Sequence, residues 1–555
     1  MQIQPQFMTL NQLLNGRLFK IPEYQRAYSW GAKQRDDLFS DIRKVRGSDT
    51  GHFMATMVGL RRKTIRIAAD AFTELEVVDG QQRLTTITLL LRALEKKLTE
   101  GDSTAKKLAA DLASLLVKGD DLCLLLLQTN HDSSHIFVDY VRDGRKPDRA
   151  SVCTSADQNL FDAILQCEAF VEEWAEEGGC VDLLAIIRNQ LFVIFHEIDN
   201  ESLVYTVFEV LNSRGLDVTW FDKMKAMLMA VVFEHGDAGG KAGTIEELHS
   251  IWKDIYRTIG VRQTLNRETL RFAASLRADE MPRRPLSEED AVAELMRQCG
   301  DSPKKAVALS KWILRVSEAE DRLLGNHRLR AVSQIVQARL VAISIMLRKF
   351  AGPVEKRLLE TWESVTFRIY GIANRDARTA VGDYVRLAWA ILNSDLPEDE
   401  AHVQLKSIAK NVVSLQEAVE KLRAVDLYTG RAETVRYLLY RYDEFLAQKA
   451  GQKLNESQWN KVWADEPSKS IEHIKPQSSG LSYVHHLGNL TLLPPGTNSK
   501  LKDKDPRDKA TTYETCGLLG TIEVARLVKK GTWSAESVRE REAGLLRWAL
   551  AAWKD

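Results

Sequence analysis

Hydrophobic and polar positions change their period three times along the chain. Phe53–Leu60, Thr64–Ala69 and Leu75–Asp79 are short apolar or β-branched runs separated by charged turns, and read as strands. Directly after them Leu84, Ile87, Leu91, Leu94 and Leu98 recur three and four apart, predicting an amphipathic helix from about Gln81. Leu191–Ile198 repeats the strand pattern, and Ser202–Leu211 the helical one. From about Gly236 to Gly451 the strand signal vanishes. Gly243–Ile259, Lys304–Leu324, Leu329–Phe350 and Ala432–Lys449 place apolar residues at helical spacing with few Gly or Pro. The remainder is mixed again: strand-like Ile471–Ile474, an apolar segment Asn489–Leu493, a turn at Pro494-Pro495-Gly496, a polar helix from about Asn498, and a closing helix near Ala535–Trp553. The expected fold class is α+β and predominantly helical. Three parts are expected: residues 1–235, a helical bundle over 236–451, and a small domain over 452–555.

Composition sharpens this picture in a few places. Only 13 of 555 residues are proline, in keeping with long unbroken helices. Lys+Arg and Asp+Glu both number 77, so a globally basic nucleic-acid coat is excluded. Local basic patches are not, because counterion release depends on the patch and not on the sum. The longest apolar run, Ala226–Phe233, falls far short of the ~18–20 residues that cross a bilayer, so no membrane partner is expected. The opening MQIQPQFMTL lacks a basic segment followed by an apolar core, which points to a cytoplasmic protein. The 6 cysteines form no C-x-x-C pair and read as reduced thiols.

The densest chemistry lies in Ser470–Asp508, SIEHIKPQSSGLSYVHHLGNLTLLPPGTNSKLKDKDPRD. Two strands and a helix in this order make a ββα unit that brings Glu472, His473 and Asn498 together. Phosphodiester hydrolysis needs a base for water and a divalent ion to neutralise charge on the phosphate and the departing oxygen. The imidazole of His473 titrates near neutrality and suits the base. Glu472 and Asn498 offer hard oxygen ligands suited to Mg2+ or Mn2+. Lys500, Lys502, Lys504, Arg507 and Lys509 follow at once, placed for a nucleic-acid backbone. His485 and His486 are assigned a structural role, and no cysteines flank the motif to make a zinc site with them.

These residues resemble the His-Me finger (HNH) nuclease motif. The resemblance implies a metal ligand and general base in IEHIKP, Asn489 as the amide that braces the loop, and Asn498 as the last ligand. It is sharper for the subset in which HHLGNLTLLP follows the base, the nuclease domain of GmrSD-type modification-dependent restriction enzymes.

Three N-terminal segments form a second constellation: IPEYQRAYSW (Ile21–Trp30), VVDGQQRLTTI (Val77–Ile87) and FEVLNSRGLDVTWFDKMKAML (Phe208–Leu228). The second sets Asp79 and Gly80 between a strand and a helix N-terminus, whose exposed N–H groups and dipole favour a phosphate. Arg83 adds a bidentate donor, Asp79 a ligand for a metal or a ribose hydroxyl, and Gln81 and Gln82 adaptable amides. Taken singly, each segment also has a plain structural reading. NSRG then ends a helix at Gly215, Tyr24 and Trp30 anchor the first segment, and DGQQR is a polar turn. Thr219 and Asp222 are spaced as a capping box.

Together the three resemble the DGQQR domain, a relative of the ParB/sulfiredoxin fold, which accompanies the nuclease domain in GmrSD-type enzymes. The resemblance implies NTP binding and hydrolysis (ATP or GTP) and a response to modified DNA. The nucleotide contacts would come from Gln25, Arg26, Asp79, Gly80, Gln81, Gln82, Arg83, Thr85, Asn212 and Arg214. No Walker-type G-x-x-x-x-G-K-[ST] occurs, so such a site is not a P-loop. The expectation is a metal-dependent endonuclease of anti-phage defence, cutting modified foreign DNA under NTP control, and possible as a homodimer. Two alternatives stand beside it: an NTP-switch or DNA-binding protein with a decayed nuclease, and an RNA (tRNA)-directed nuclease toxin.

Overall fold

The computed structural model describes residues 5–22, 25–47, 51–67, 69–118, 125–129, 132, 134–198, 219–237, 240–260, 262–423 and 427–554. The helix expected at Ser202–Leu211, the NSRG turn and Tyr24 lie outside them. The chain forms two compact units, residues 1–270 with 288–317, and residues 271–287 with 318–555. The helical stretch 236–451 is shared between them. Its tryptophans anchor it locally. Trp252 Nε1 donates to Ser310 Oγ (3.1 Å) in the first unit. In the second, Trp362 Nε1 donates to Ala338 O (2.6 Å) and Trp389 Nε1 to Ala278 O (2.8 Å).

The first unit is built on a six-stranded mixed sheet. Its strands are β1 (Pro5–Thr9), β2 (Arg17–Lys20), β3 (His52–Ile67), β4 (Asp70–Asp79), β5 (Leu127–Gln128) and β6 (Leu191–Ile198), in the order β1-β6-β3-β4-β2-β5. β3 and β4 pair antiparallel, whereas β3 with β6 and β2 with β4 are parallel. The two strands expected at Phe53–Leu60 and Thr64–Ala69 are one. The charged Arg61-Arg62-Lys63 is not a turn but a bulge, where the pairing shifts between Arg61↔Leu75 and Thr64↔Thr73. A bulge absorbs an extra residue without ending the strand. The arginines there meet acids on the neighbouring strands, Arg61 with Glu197 (3.3 Å) and Arg62 with Glu76 (2.8 Å).

Helix α1 (Ala32–Val45) lies beside β3, and α2 (Gln81–Leu98) leaves the end of β4. The expected apolar face of α2 is buried, but so are Leu89 and Leu90 at 0 % exposure, so the helix is central and not amphipathic. The reason is that the helix Ser103–Leu116 and α3 (Ser155–Glu177) pack around it. Its buried hydroxyls cost little, because each donates to the carbonyl four residues back: Thr85 to Gln81 (2.8 Å), Thr86 to Gln82 (2.9 Å) and Thr88 to Leu84 (2.8 Å).

The second unit is helical apart from a two-stranded antiparallel pair, β7 (Ile471–His473) and β8 (Leu490–Leu492). Around the pair lie α4 (Leu427–Gly430), α5 (Pro495–Leu501), α6 (Pro506–Thr515), α7 (Leu519–Lys530) and α8 (Ala535–Ala552). No described helix of either unit is long and apolar enough to cross a membrane.

Candidate active site

The ββα unit is pinned from behind before it offers anything to a substrate. β7 and β8 pair through Ile471↔Leu492, Glu472↔Thr491 and His473↔Leu490. Between them Asn489, fully buried, spends its whole amide on the loop. Its Oδ1 accepts from Lys475 N (2.9 Å) and Trp533 Nε1 (3.0 Å), and its Nδ2 donates to Lys475 O (3.0 Å) and Val484 O (2.8 Å). Arg541 Nη1 donates to Gly488 O (2.9 Å) and Leu490 O (2.7 Å). Residue 488 has to be glycine, since a Cβ there would collide with the backbone oxygen of Val538 on α8.

Glu472, His473 and Asn498 border one cavity of about 480 Å³, with Tyr428, Gln477 and Lys502 also in its wall. Successive residues of a strand turn to opposite faces, so the two neighbours meet different partners. Glu472 Oε1 accepts from Lys509 Nζ (2.7 Å) and from Tyr513 OH (2.7 Å). Burial raises the pKa of its carboxyl, and Lys509 and Tyr513 oppose that rise. His473 places Nε2 3.1 Å from Nδ1 of His485, and Nδ1 3.1 Å from Nε2 of Gln477. Burial first, then His485 and Lys509, lowers its pKa to about 3, so the ring is neutral at physiological pH. Asn498 donates from Nδ2 to Lys469 O (2.9 Å) and Ile471 O (3.1 Å), which fixes α5 against β7 and leaves its Oδ1 as a donor atom.

The donor set suits a hard divalent cation. Glu472 keeps one oxygen free of the Lys509 and Tyr513 bonds, and Asn498 keeps its amide oxygen. Magnesium takes few protein ligands and fills its remaining positions with water and phosphate. Among the described residues no group of three or more His, Cys, Asp or Glu side chains is placed to hold a metal.

In the first unit a cavity of about 780 Å³ is lined by Gln25, Arg26, Asp79, Gly80, Gln81, Gln82 and Arg83, together with Trp30, Lys33, Asp37 and Asp41. Gly80 sits at φ +94 before α2, where a Cβ would also press on Met57, so the turn into the helix needs glycine. Gln25 Nε2 donates to Val78 O (2.6 Å). Gln82 accepts from Ser29 N (2.8 Å) and donates to Ala27 O (3.1 Å). These two amides therefore hold the segment 25–30 against α2. Gln81 Oε1 is buried without a hydrogen-bond partner, an unspent acceptor beside the helix N-terminus. Arg83 lies over the Trp30 ring, 5.8 Å from its centroid. Burial raises the pKa of Asp79 against the pull of Gly80 N–H, Arg83 and Arg26, and burial lowers that of Arg26 against Asp222 and Asp79.

Residues 10–229 match the family model described as GmrSD restriction endonuclease, N-terminal domain, and residues 414–548 match GmrSD restriction endonucleases, C-terminal domain. The chain belongs to the GmrSD restriction endonucleases. GmrSD enzymes of this kind are DNA endonucleases of restriction, so DNA is the partner and phosphodiester hydrolysis the reaction. No curated protein matches the chain.

The GmrSD C-terminal match begins at residue 414 and so includes Tyr428. One expectation needs correction. Lys509 is no phosphate contact: it is wholly buried, donating to Glu472, to His473 O (2.8 Å) and to Ile474 O (3.4 Å). Thr85 lines not the large cavity but a small pocket, with Arg26, Gln81 and Gln82, and its hydroxyl is tied to Gln81 O. His485 meets the ring of His473 (3.1 Å), while His486 turns to Glu542 (3.4 Å). Lys500, Lys502, Lys504 and Arg507 are exposed, and Lys502 reaches the cavity wall. Asn212 and Arg214 lie outside the described residues. Sequence reasoning missed Tyr428, Gln477 and Tyr513. Only Tyr513 left a trace, four residues beyond Lys509 and hence on the same helical face.

Proposed function

We propose that this GmrSD endonuclease cuts modified foreign DNA with Mg2+ or Mn2+ at its ββα site, under the control of ATP or GTP bound at the Asp79–Arg83 turn. The observation that carries the reading is the meeting of a neutral imidazole, a carboxylate and an amide oxygen at one cavity. His473 takes a proton from water as the water oxygen bonds to phosphorus and the phosphorus–oxygen ester bond breaks. The departing oxygen collects its proton from solvent. Glu472 and Asn498 hold the cation, whose charge would offset that on the phosphate and the departing oxygen. Lys500, Lys502, Lys504 and Arg507 give the exposed positive charge that follows a phosphate backbone, and a homodimer would present two such sites.

The nucleotide reading is supported by the N–H groups opening α2, the unspent Gln81 Oε1, and the Arg26 and Arg83 guanidiniums around one concave space. The test is a nicking assay on modified DNA, plain DNA and RNA, with and without Mg2+, Mn2+ and each NTP. Metal-dependent cutting of modified DNA that responds to an NTP is expected. Cutting of RNA alone, or cutting unaffected by chelator, would overturn the reading.

A further inference from the structure

We propose that His485 is the positioning residue of the base: its Nδ1 accepts the Nε2–H of His473 and thereby makes Nδ1 of His473 the nitrogen that receives the proton. This inference rests on the nuclease reading above. Three contacts carry it. Gln477 Nε2 lies 3.1 Å from His473 Nδ1, and an amide nitrogen can only donate, so Nδ1 is the bare nitrogen and Nε2 carries the hydrogen. His485 Nδ1, 3.1 Å from that Nε2, is then the acceptor. The plane of His485 is in turn set by Tyr428, whose ring is parallel to it at 5.4 Å between centroids. Tyr428 also stands edge-on to His473, at 4.5 Å and 82°.

The arrangement follows the logic of a base held in one tautomer by a third group. Gln477 is exposed, so its amide keeps the Nδ1 lone pair occupied only until a water beside the cavity replaces it. When Nδ1 gains the water's proton, the ring becomes a cation with hydrogens on both nitrogens. The Nε2–H then remains bonded to His485, a stronger bond for being charge-assisted. His485 itself gives up and gains no proton. Substrate never touches it in this scheme, so its loss should act on turnover and leave binding alone.

The test uses the full chain labelled with 15N in its histidine rings, with His473→Gln to assign the resonance. The wild type should show His473 as the Nε2–H tautomer. His485→Phe keeps a ring on Tyr428 but has no acceptor; it should weaken the tautomer preference, which Gln477 alone then supports, and lower kcat on the order of 10²-fold, the low end of a general base's contribution, with KM for DNA unchanged. His485→Asn, whose amide oxygen can take the place of Nδ1, should restore most of the rate. An Nδ1–H tautomer in the wild type, or an unchanged kcat in folded His485→Phe, would overturn the proposal. The wild-type tautomer decides the matter even if the Phe variant does not fold. It also separates the two readings: a chain that cuts no nucleic acid yet shows the Nε2–H tautomer loses the nuclease assignment and keeps the pairing.

Discussion

His473 shows how burial acts on a single side chain. Burial first, then His485 and Lys509, lowers its pKa to about 3, so the ring stays neutral through the physiological range. His473→Ala should lower cleavage about 10²–10⁴-fold in a nicking assay while the far-UV dichroism is unchanged. Asn498→Ala should leave the base intact and move the half-saturating metal concentration upward; an unchanged metal titration would remove Asn498 from the ligand set. Lys509 is the opposite kind of residue, a buried ammonium with three oxygens around it. Lys509→Met would strand the Glu472 carboxylate in a buried site, at a cost of about 3–5 kcal/mol. Denaturant midpoints should show that loss, and the double variant with Glu472→Gln should recover much of it. None of this was legible in the spacing of lysines along KLKDKDPRDK, where Lys509 looks like its exposed neighbours. Burial is decided by which side of α6 faces β7, and the position of β7 in space is set by contacts distant in sequence.

At the scale of elements, α7 has its N-terminus capped by a residue from another helix. Asp443, in Ala432–Lys449, accepts Leu519 N (3.0 Å) and Gly520 N (2.5 Å). Those are among the N–H groups that a helix leaves unpaired. Burial outweighs these two bonds and lifts the Asp443 pKa from 3.8 to about 6. The folded state therefore holds this proton more tightly than the unfolded one. Between about pH 4 and pH 6 folding takes up a proton, so the stability contributed by Asp443 falls as pH rises through that window and is level above it. Asp443→Asn should flatten that slope; an identical pH dependence of thermal stability in variant and wild type would refute it. The strands and helices of the ββα motif were legible because turn residues and period mark them locally. The cross-helix cap was not, since residues 76 or more positions apart give no periodic signal. The bulge in β3 was misread for a related reason: charged residues predict a turn only where no neighbouring strand offers acids to pair with them.

For the whole molecule, the proposed reading places a nucleotide site and a cutting site on one polypeptide, and on that reading ligand at the first should change work at the second. A coupling of about 1–3 kcal/mol would change affinity roughly 5- to 150-fold, with no fixed conversion to rate. Initial nicking rates of the full chain with and without NTP, on modified and unmodified copies of one DNA, should differ, and Arg83→Ala should erase the NTP effect. Equal rates in all conditions would reduce the N-terminal domain to a tether. The pairing of the two domains was legible from short motifs whose local geometry holds the chemistry. The division of the helical stretch between two units was not, because helices of one period can pack on either core.

The clamp on the loop before β8 carries a further consequence, one of timing. Asn489 is held by Trp533, and the carbonyls of Gly488 and Leu490 by Arg541, residues translated some fifty positions after the strand they secure. Chains emerge from the ribosome N-terminus first and their domains fold in that order. A nascent chain interrupted before Trp533 therefore carries Glu472, His473 and Asn498 without the braces that shape their loop. On the proposed reading, cutting then has to wait for those later residues, while the N-terminal domain has already been made.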